Sequence, residues 1–217
     1  MNDNRQRYTT GEEIANSVTH GAGILLSVTG LCILTALAAM RGNAWHVVAC
    51  SIFGATLVLM YTASTLYHGI PLPRAKNVFR VLDHAAIFLL IAGTYTPFTL
   101  ISLRGPWGWT LFGIIWGLAL FGIIFQTSLL RRWTALSVGI YVAMGWAAVT
   151  AIKPLIEALP PSGLVFLVAG GLCYTLGVVF YVWRRLPYGH AIWHGFVLAG
   201  SVFHFFAVLV SVIPETV

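Results

Sequence analysis

The sequence predicts an all-α membrane protein built as a bundle of seven transmembrane helices, and two observations carry that expectation. Of its 217 residues, 59% are hydrophobic and 8% are charged, against roughly 25% charged in ordinary soluble domains. A folded chain with so few charges cannot cover its surface with groups that water accepts, so it belongs in a bilayer. The apolar residues also gather into seven runs, at 18–40, 46–69, 83–103, 108–127, 134–152, 163–183 and 190–213. Each is close to the roughly 20 residues that a helix needs to cross the hydrocarbon layer. The whole of 1–217 is therefore expected to form one membrane domain, opened by a short polar segment at about 1–17.

The elements follow in order. Thr9 to Glu12 and Thr10 to Glu13 both have capping-box spacing, which places a helix start just ahead of the first run. The opening seventeen residues carry Asp3, Glu12 and Glu13, unlike the basic start of a cleaved secretory signal, so the first run is expected to stay as a span. The runs are separated by RGNAW, IPLPRAKNVFR, RGPWG, LLRRW, KPLIEALPPSG and RRLPYG, segments that combine charge with helix-ending proline and glycine. Pro97, inside the third run, predicts a kink. Cys32, Cys50 and Cys173 lie singly within apolar runs and read as small buried hydrophobes.

Orientation comes from the basic residues. In a seven-span arrangement Arg5, Arg7, Arg74, Lys76, Arg80, Arg131, Arg132, Arg184 and Arg185 fall on one side, and Arg41, Arg104 and Lys153 on the other. This asymmetry predicts a cytoplasmic amino terminus and a carboxyl terminus on the far face. The net charge of +6 resides in the same loops and fits an anionic leaflet rather than nucleic acid. Trp45, Trp107, Trp109 and Trp133 stand near span ends, where interfacial aromatic belts form.

His68, Asp83, His190 and His194 sit at the ends of apolar runs, and ionisable groups at membrane depth point to function. With seven spans all four fall at the cytoplasmic ends of their helices, within about two turns of one face. His190 and His194 are four apart, so their rings leave one side of a helix. Three imidazoles and a carboxylate match a catalytic zinc site, in which three protein ligands leave a position for water whose pKa falls to about 7. His68, His190 and His194 are the candidate zinc ligands. Asp83 either ligates directly or, as favoured here, accepts a hydrogen bond from the water and acts as general base. Ser64 lies one helical turn before His68; it either orients the water or polarises a substrate carbonyl, or else bonds back to its own helix. Imidazole also suits iron, nickel and copper.

Glu12, Asn16 and His20 are spaced by four and share a face that either supports the metal site or helps admit substrate, or else serves as a cap and an interfacial histidine. His84 points about 100° away from Asp83 and is expected to meet a neighbouring helix. His204 is expected to be a hydrogen-bonded packing residue some 15 Å deeper than His194, with a proton relay as the alternative.

The segments Ser64-Thr-Leu-Tyr-His68, Asp83-His84 and His190-Ala-Ile-Trp-His194 resemble the progestin and adiponectin receptor family, specifically its bacterial hemolysin III branch, within a superfamily that includes alkaline ceramidases. GEEIANSVTHG (11–21), DHAAIFLLIAGTYTPF (83–98), AMGW (143–146) and PYGHAIWHGFVLAGSVFHF (187–205) resemble the same branch. The resemblance implies a seven-helix protein with its amino terminus inside, zinc held by His68, His190 and His194, and Asp83 in contact with the zinc-bound water. Unlike the receptors, the sequence has no long amino-terminal extension. Three functions remain open: a zinc-dependent hydrolase of a lipid amide or ester, with a membrane lipid entering sideways from the inner leaflet; a non-catalytic sensor or homeostasis protein with structural zinc; and a pore-former. The pore ranks last, because pores need a polar stripe across the membrane. A bacterial inner membrane is the expected location.

Overall fold

A computed structural model describes residues 8–128, 133–183 and 185–214. Arg5, Arg7, Arg131, Arg132 and Arg184, which enter the orientation argument, lie outside the described residues. Every regular element among the described residues is helical: α1 (Thr10–Arg41), α2 (Ala44–Gly69), α3 (Pro73–Pro97), α4 (Pro106–Ser128), α5 (Thr134–Trp146), α6 (Ile152–Ala158), α7 (Pro161–Val182) and α8 (Gly189–Ser211). Seven segments are long and apolar enough to cross a membrane, with α5 and α6 together forming the fifth. Helices are the expected solution, since hydrocarbon offers no water to satisfy open backbone groups.

Local chemistry sets the ends. Thr9 caps α1 through the expected box: the Glu12 N–H donates to Thr9 Oγ1 at 3.3 Å and the Thr9 N–H donates to Glu12 Oε2 at 2.8 Å. Helix α3 begins at Pro73, ten residues before the apolar run, so RAKNVFR is its polar first turns rather than a loop. Proline at the start of a helix forfeits no bond there. The expected disturbance at Pro97 takes the form of a π-helical turn over Phe98–Ser102; proline has no N–H and its ring crowds the preceding turn.

The fifth span departs from the expected separator KPLIEALPPSG. A 3₁₀ turn over Ala147–Ala151 leads into α6, which carries Lys153 and Glu157 as helical residues. Pro154 lies in the first turn of α6, where its missing N–H leaves no bond unmade. The helix stops at Leu159, extended at φ −106° and ψ 143° ahead of Pro160, as the residue before proline prefers.

Helices α1, α2, α3 and α8 enclose the larger core, which includes Leu34, Phe53, Tyr61, Leu90, Val197 and Val208. A smaller core joins α3, α4 and α5 around Phe88, Ile115 and Met144. Close approach relies on glycine at two places used below. A Cβ at Gly93 of α3 would collide with the Thr56 side chain of α2, and one at Gly170 of α7 would collide with the His204 ring of α8. Small residues at such crossings are the usual means of packing helices in lipid. Large apolar side chains such as Leu25, Leu59, Ile124 and Val165 point outward, as lipid permits. Trp45, Trp107, Trp109 and Trp133 are exposed as the aromatic belts require. Of the cysteines Cys50 alone is fully buried; Cys173 is half-buried and Cys32 faces outward, where a thiol meets lipid at little cost.

Candidate metal centre

Two helix ends bring three imidazoles together. His68 lies in the last turn of α2, and His190 and His194 occupy the first turns of α8. Their ring centroids are separated by 5.1 Å (His68–His190), 5.2 Å (His68–His194) and 4.5 Å (His190–His194). One ligand nitrogen from each ring lies within 4.8 Å of the other two. This cluster can hold a metal ion, and its all-imidazole donor set suits zinc, copper, iron or nickel.

Helix α1 fixes the rings. The His68 Nδ1–H donates to Glu13 Oε2 at 2.6 Å, and Glu13 Oε1 takes the Lys76 ammonium at 2.8 Å. The Asn16 amide nitrogen lies 3.3 Å from the same His68 Nδ1. The Asn16 carbonyl accepts from His194 Nδ1 at 3.2 Å. With both Nδ1 atoms so engaged, Nε2 is the coordinating atom left on His68 and His194. Ligating histidines commonly have this arrangement, in which a carboxylate or carbonyl on one ring nitrogen sets the tautomer and strengthens the other as a ligand. His68 Nε2 is buried with no hydrogen-bond partner among the described residues. An orphaned buried polar atom costs about 1–3 kcal/mol, which an ion at that position removes. The ligands therefore fit a metal by their support as well as by their grouping.

The expected face of Glu12, Asn16 and His20 is redrawn by one residue. Asn16 reaches the cluster, and His20 stacks on His194 with centroids 3.4 Å apart and planes 11° from parallel. Glu12 instead serves the α1 cap and accepts from the Tyr188 N–H at 3.0 Å. Tyr188 takes the left-handed conformation, φ 56°, as the N-cap of α8. The carboxylate that reaches His68 belongs to Glu13, which sequence reasoning missed. The available signal was the 13, 16, 20 spacing, three and then four residues, which also marks one helical face.

Asp83 shares a cavity with two of the three histidines, and Ser64 lies one turn before His68 on α2. Asp83 is buried and shares the wall of one cavity, of about 140 Å³, with His20, His190 and His194. His84 Nδ1 lies 3.5 Å from the Asp83 carboxylate, but its hydrogen bond goes to the Arg80 carbonyl at 2.8 Å. The expected link from His84 to a neighbouring helix comes through its backbone, whose carbonyl accepts from Tyr141 of α5 at 2.9 Å. Ser64 is fully buried, and its hydroxyl has no partner among the described residues. Thr19, Ser27, Thr56 and Thr94 each bond back to a carbonyl of their own helix; Ser64 does not. Beyond Asp83 the cavity continues between α3, α5, α7 and α8 along Leu90, Val142, Val178 and Val197 as far as His204. Where it reaches Trp146 and Thr175 the Trp146 indole N–H donates to Thr175 Oγ1 at 3.0 Å, in an exposed position between α5 and α7.

The sequence matches the family model described as "Haemolysin-III related" over residues 8–205. The chain belongs to the haemolysin-III-related family. It is 52% identical over 203 residues to "Hemolysin-3" of Bacillus cereus, covering 94% of this chain and 93% of that protein. It is 47% identical over 202 residues to "Hemolysin-3 homolog" of Bacillus subtilis, covering 93% and 95%. A more distant human relative, "Monocyte to macrophage differentiation factor", is 27% identical over 210 residues, covering 94% and 86%. The resemblance read from the histidine and aspartate motifs to the hemolysin III branch is thus borne out. Family membership and seven membrane-crossing helices together make this haemolysin-III-related chain an integral membrane protein.

Proposed function

We propose that this protein is a zinc-dependent hydrolase of a lipid amide or ester, acting in membrane lipid homeostasis, with zinc held by His68, His190 and His194. The observation that carries the proposal is the meeting of two environments: two members of the three-imidazole cluster, His190 and His194, line one end of a cavity whose walls are otherwise largely apolar, and His68 closes the cluster behind them. An acyl chain fits those walls and brings its carbonyl to the histidines. Zinc, when bound, supplies Lewis acidity, polarising a carbonyl and making water nucleophilic near neutral pH. Asp83, on the cavity wall beside His190 and His194, takes the proton of the attacking water and returns it to the departing amine or alkoxide. The unbonded Ser64 hydroxyl donates to the substrate carbonyl oxygen as negative charge develops there. Glu13 and Asn16 hold the rings through this sequence.

The lipid enters sideways between α5 and α7, beside the Trp146–Thr175 hydrogen bond. We place the histidine cluster at the cytoplasmic side of a bacterial inner membrane, with the whole chain working as one membrane unit. Metal analysis of detergent-purified wild type beside His190→Ala, followed by fatty-acid release from a panel of ceramides and phospholipids, tests the reading. Stoichiometric zinc in the wild type, its loss in the variant and release from at least one lipid are expected. Zinc-loaded protein that releases nothing across the panel overturns the catalytic part.

One observation favours a second reading, in which the metal is structural. The ligands come from α2 and α8, and both are supported from α1, so an ion there ties three helices together. The pore suggested by the relatives' name ranks below both, because the cavity lining between the histidine cluster and His204 is largely apolar, with Leu90, Ile91, Val142, Val178 and Val197, where a pore needs a continuous polar stripe.

A further inference from the structure

The cavity has a second polar end. His204 lies ten residues beyond His194 on α8 and lines the same cavity, which places it about 15 Å farther along the helix at 1.5 Å per residue. The walls include Leu90, Ile91, Val142, Val178 and Val197, with Thr94, Tyr95, Tyr174 and Thr175 among them. At this depth a histidine is costly, and its surroundings hold it in one orientation. The His204 Nδ1–H donates to the Gly200 carbonyl at 2.8 Å. The ring stacks on Tyr174, with centroids 5.3 Å apart and planes 16° from parallel, and it lies over Gly170, where any side chain would displace it.

That fixes the chemistry of the other nitrogen. With the proton on Nδ1, Nε2 carries a lone pair and can only accept. His204 is 6% exposed, and the hydrogen bond found for its ring among the described residues is the Nδ1 contact to Gly200, which leaves Nε2 for what enters the cavity. The neighbouring polar groups are already committed. Tyr61 and Tyr174 both bond Ser201 Oγ, at 2.7 Å and 3.0 Å. Thr94 donates to the Leu90 carbonyl and Thr175 to the Gly171 carbonyl, each at 2.8 Å. Tyr95 donates to the carbonyls of Met144 and Gly145. An acceptor on a largely buried residue, among polar groups whose own donors are spent, calls for a donor from the occupant of the cavity. A carboxylate offers none, and an ammonium is too costly at this depth without a counter-charge, whereas a neutral hydroxyl satisfies the nitrogen at small cost.

We infer that His204 forms a hydroxyl-recognising subsite at the deep end of the cavity, so that the acyl chain best fitted to this protein carries a hydroxyl in its interior. The inference rests on the proposal that an acyl chain occupies the cavity, and it adds which acyl chain. A site built to hydrogen-bond a hydroxyl discriminates against the analogue lacking it, because its own polar atom is then left unpaired.

The test is equilibrium binding of ricinoleate, which has a mid-chain hydroxyl, against oleate, its counterpart without one, to the full-length zinc-loaded protein in nanodiscs. Competition with a labelled fatty acid supplies the readout. Wild type is expected to bind ricinoleate roughly fivefold more tightly than oleate, the worth of about one net hydrogen bond. In His204→Leu the two affinities should converge to within about twofold, with oleate binding kept, and His204→Gln, which retains an acceptor, should keep part of the preference. Equal affinities in wild type would mean that the deep end holds only water; they overturn the subsite and leave the hydrolase reading standing. A preference that survives in His204→Leu overturns the assignment to His204. Failure of both fatty acids to bind overturns the subsite and the acyl cavity together. If the leucine variant does not fold, the wild-type ratio and the glutamine variant decide.

Discussion

Removing the charge of Glu13 while keeping its shape isolates what α1 contributes to the proposed metal centre. The Glu13 carboxylate sits 2.6 Å from His68 Nδ1 and 2.8 Å from Lys76 Nζ, short charge-assisted contacts on a side chain 20% exposed. Hydrogen bonds to charged groups contribute about 1.5–3 kcal/mol, against about 1 kcal/mol for neutral ones. Glu13→Gln keeps an oxygen for the His68 N–H but loses the negative charge that makes the ring a stronger donor to a cation. The difference, about 1–1.5 kcal/mol, corresponds to roughly tenfold weaker metal binding, at the lower edge of the range of about 10–100-fold for such supporting groups. Competition for zinc against a chromophoric chelator at fixed pH gives the dissociation constant. The absorption bands of a cobalt-substituted sample report ligand geometry independently of any activity. Lys76→Met, which leaves the His68 contact in place, serves as the control and should shift affinity by less. A Glu13→Gln protein with wild-type affinity and an unchanged cobalt spectrum would refute the account of how the His68 ring is held.

Asp83→Asn should retain metal stoichiometry, since the three imidazoles stay, while lipid hydrolysis falls by about 10²–10⁴ as expected for loss of a general base; metal content beside fatty-acid release checks both halves, and undiminished release excludes Asp83 from the chemistry. Gly93→Ala should destabilise the helix pair by about 1–3 kcal/mol through overpacking, because the new methyl collides with Thr56; a melting temperature equal to wild type would contradict the close α2–α3 crossing. Thr9→Ala breaks the reciprocal cap of α1 and should cost about 1 kcal/mol in thermal unfolding, with an unaltered melt counting against the cap.

Much of the site was legible because it depends on parity and period. Seven apolar runs bring the ends that carry His68, Asp83 and His190 to one face, and a spacing of four puts His190 and His194 on one side of α8. What escaped turns on helix phase and on individual hydrogen bonds. Glu12 and Glu13 are adjacent acids, and either can be drawn onto the Asn16–His20 face. Once Glu12 closes the cap with Thr9, Glu13 is the carboxylate left to reach His68. Composition alone read Lys153–Gly163 as a separator, since a proline beside charge usually marks a loop, yet Pro154 falls in a first turn where it is harmless. The free Ser64 hydroxyl was one of two open alternatives, because spacing does not reveal whether a serine bonds back to its own helix.

The support that α1 gives to α8 spans nearly the whole chain: Glu12 meets Tyr188 across 176 residues and Asn16 meets His194 across 178. A ribosome delivers the first of these partners long before the last. Contacts this remote in sequence form late and slowly, so the two His–Nδ1 anchors cannot both exist until the final helix has been threaded into the bilayer and swung back against the first. On the proposed metal reading, ion capture comes at the end of biogenesis, and a nascent chain truncated before Gly189 should emerge unable to take up metal however well its earlier helices have inserted.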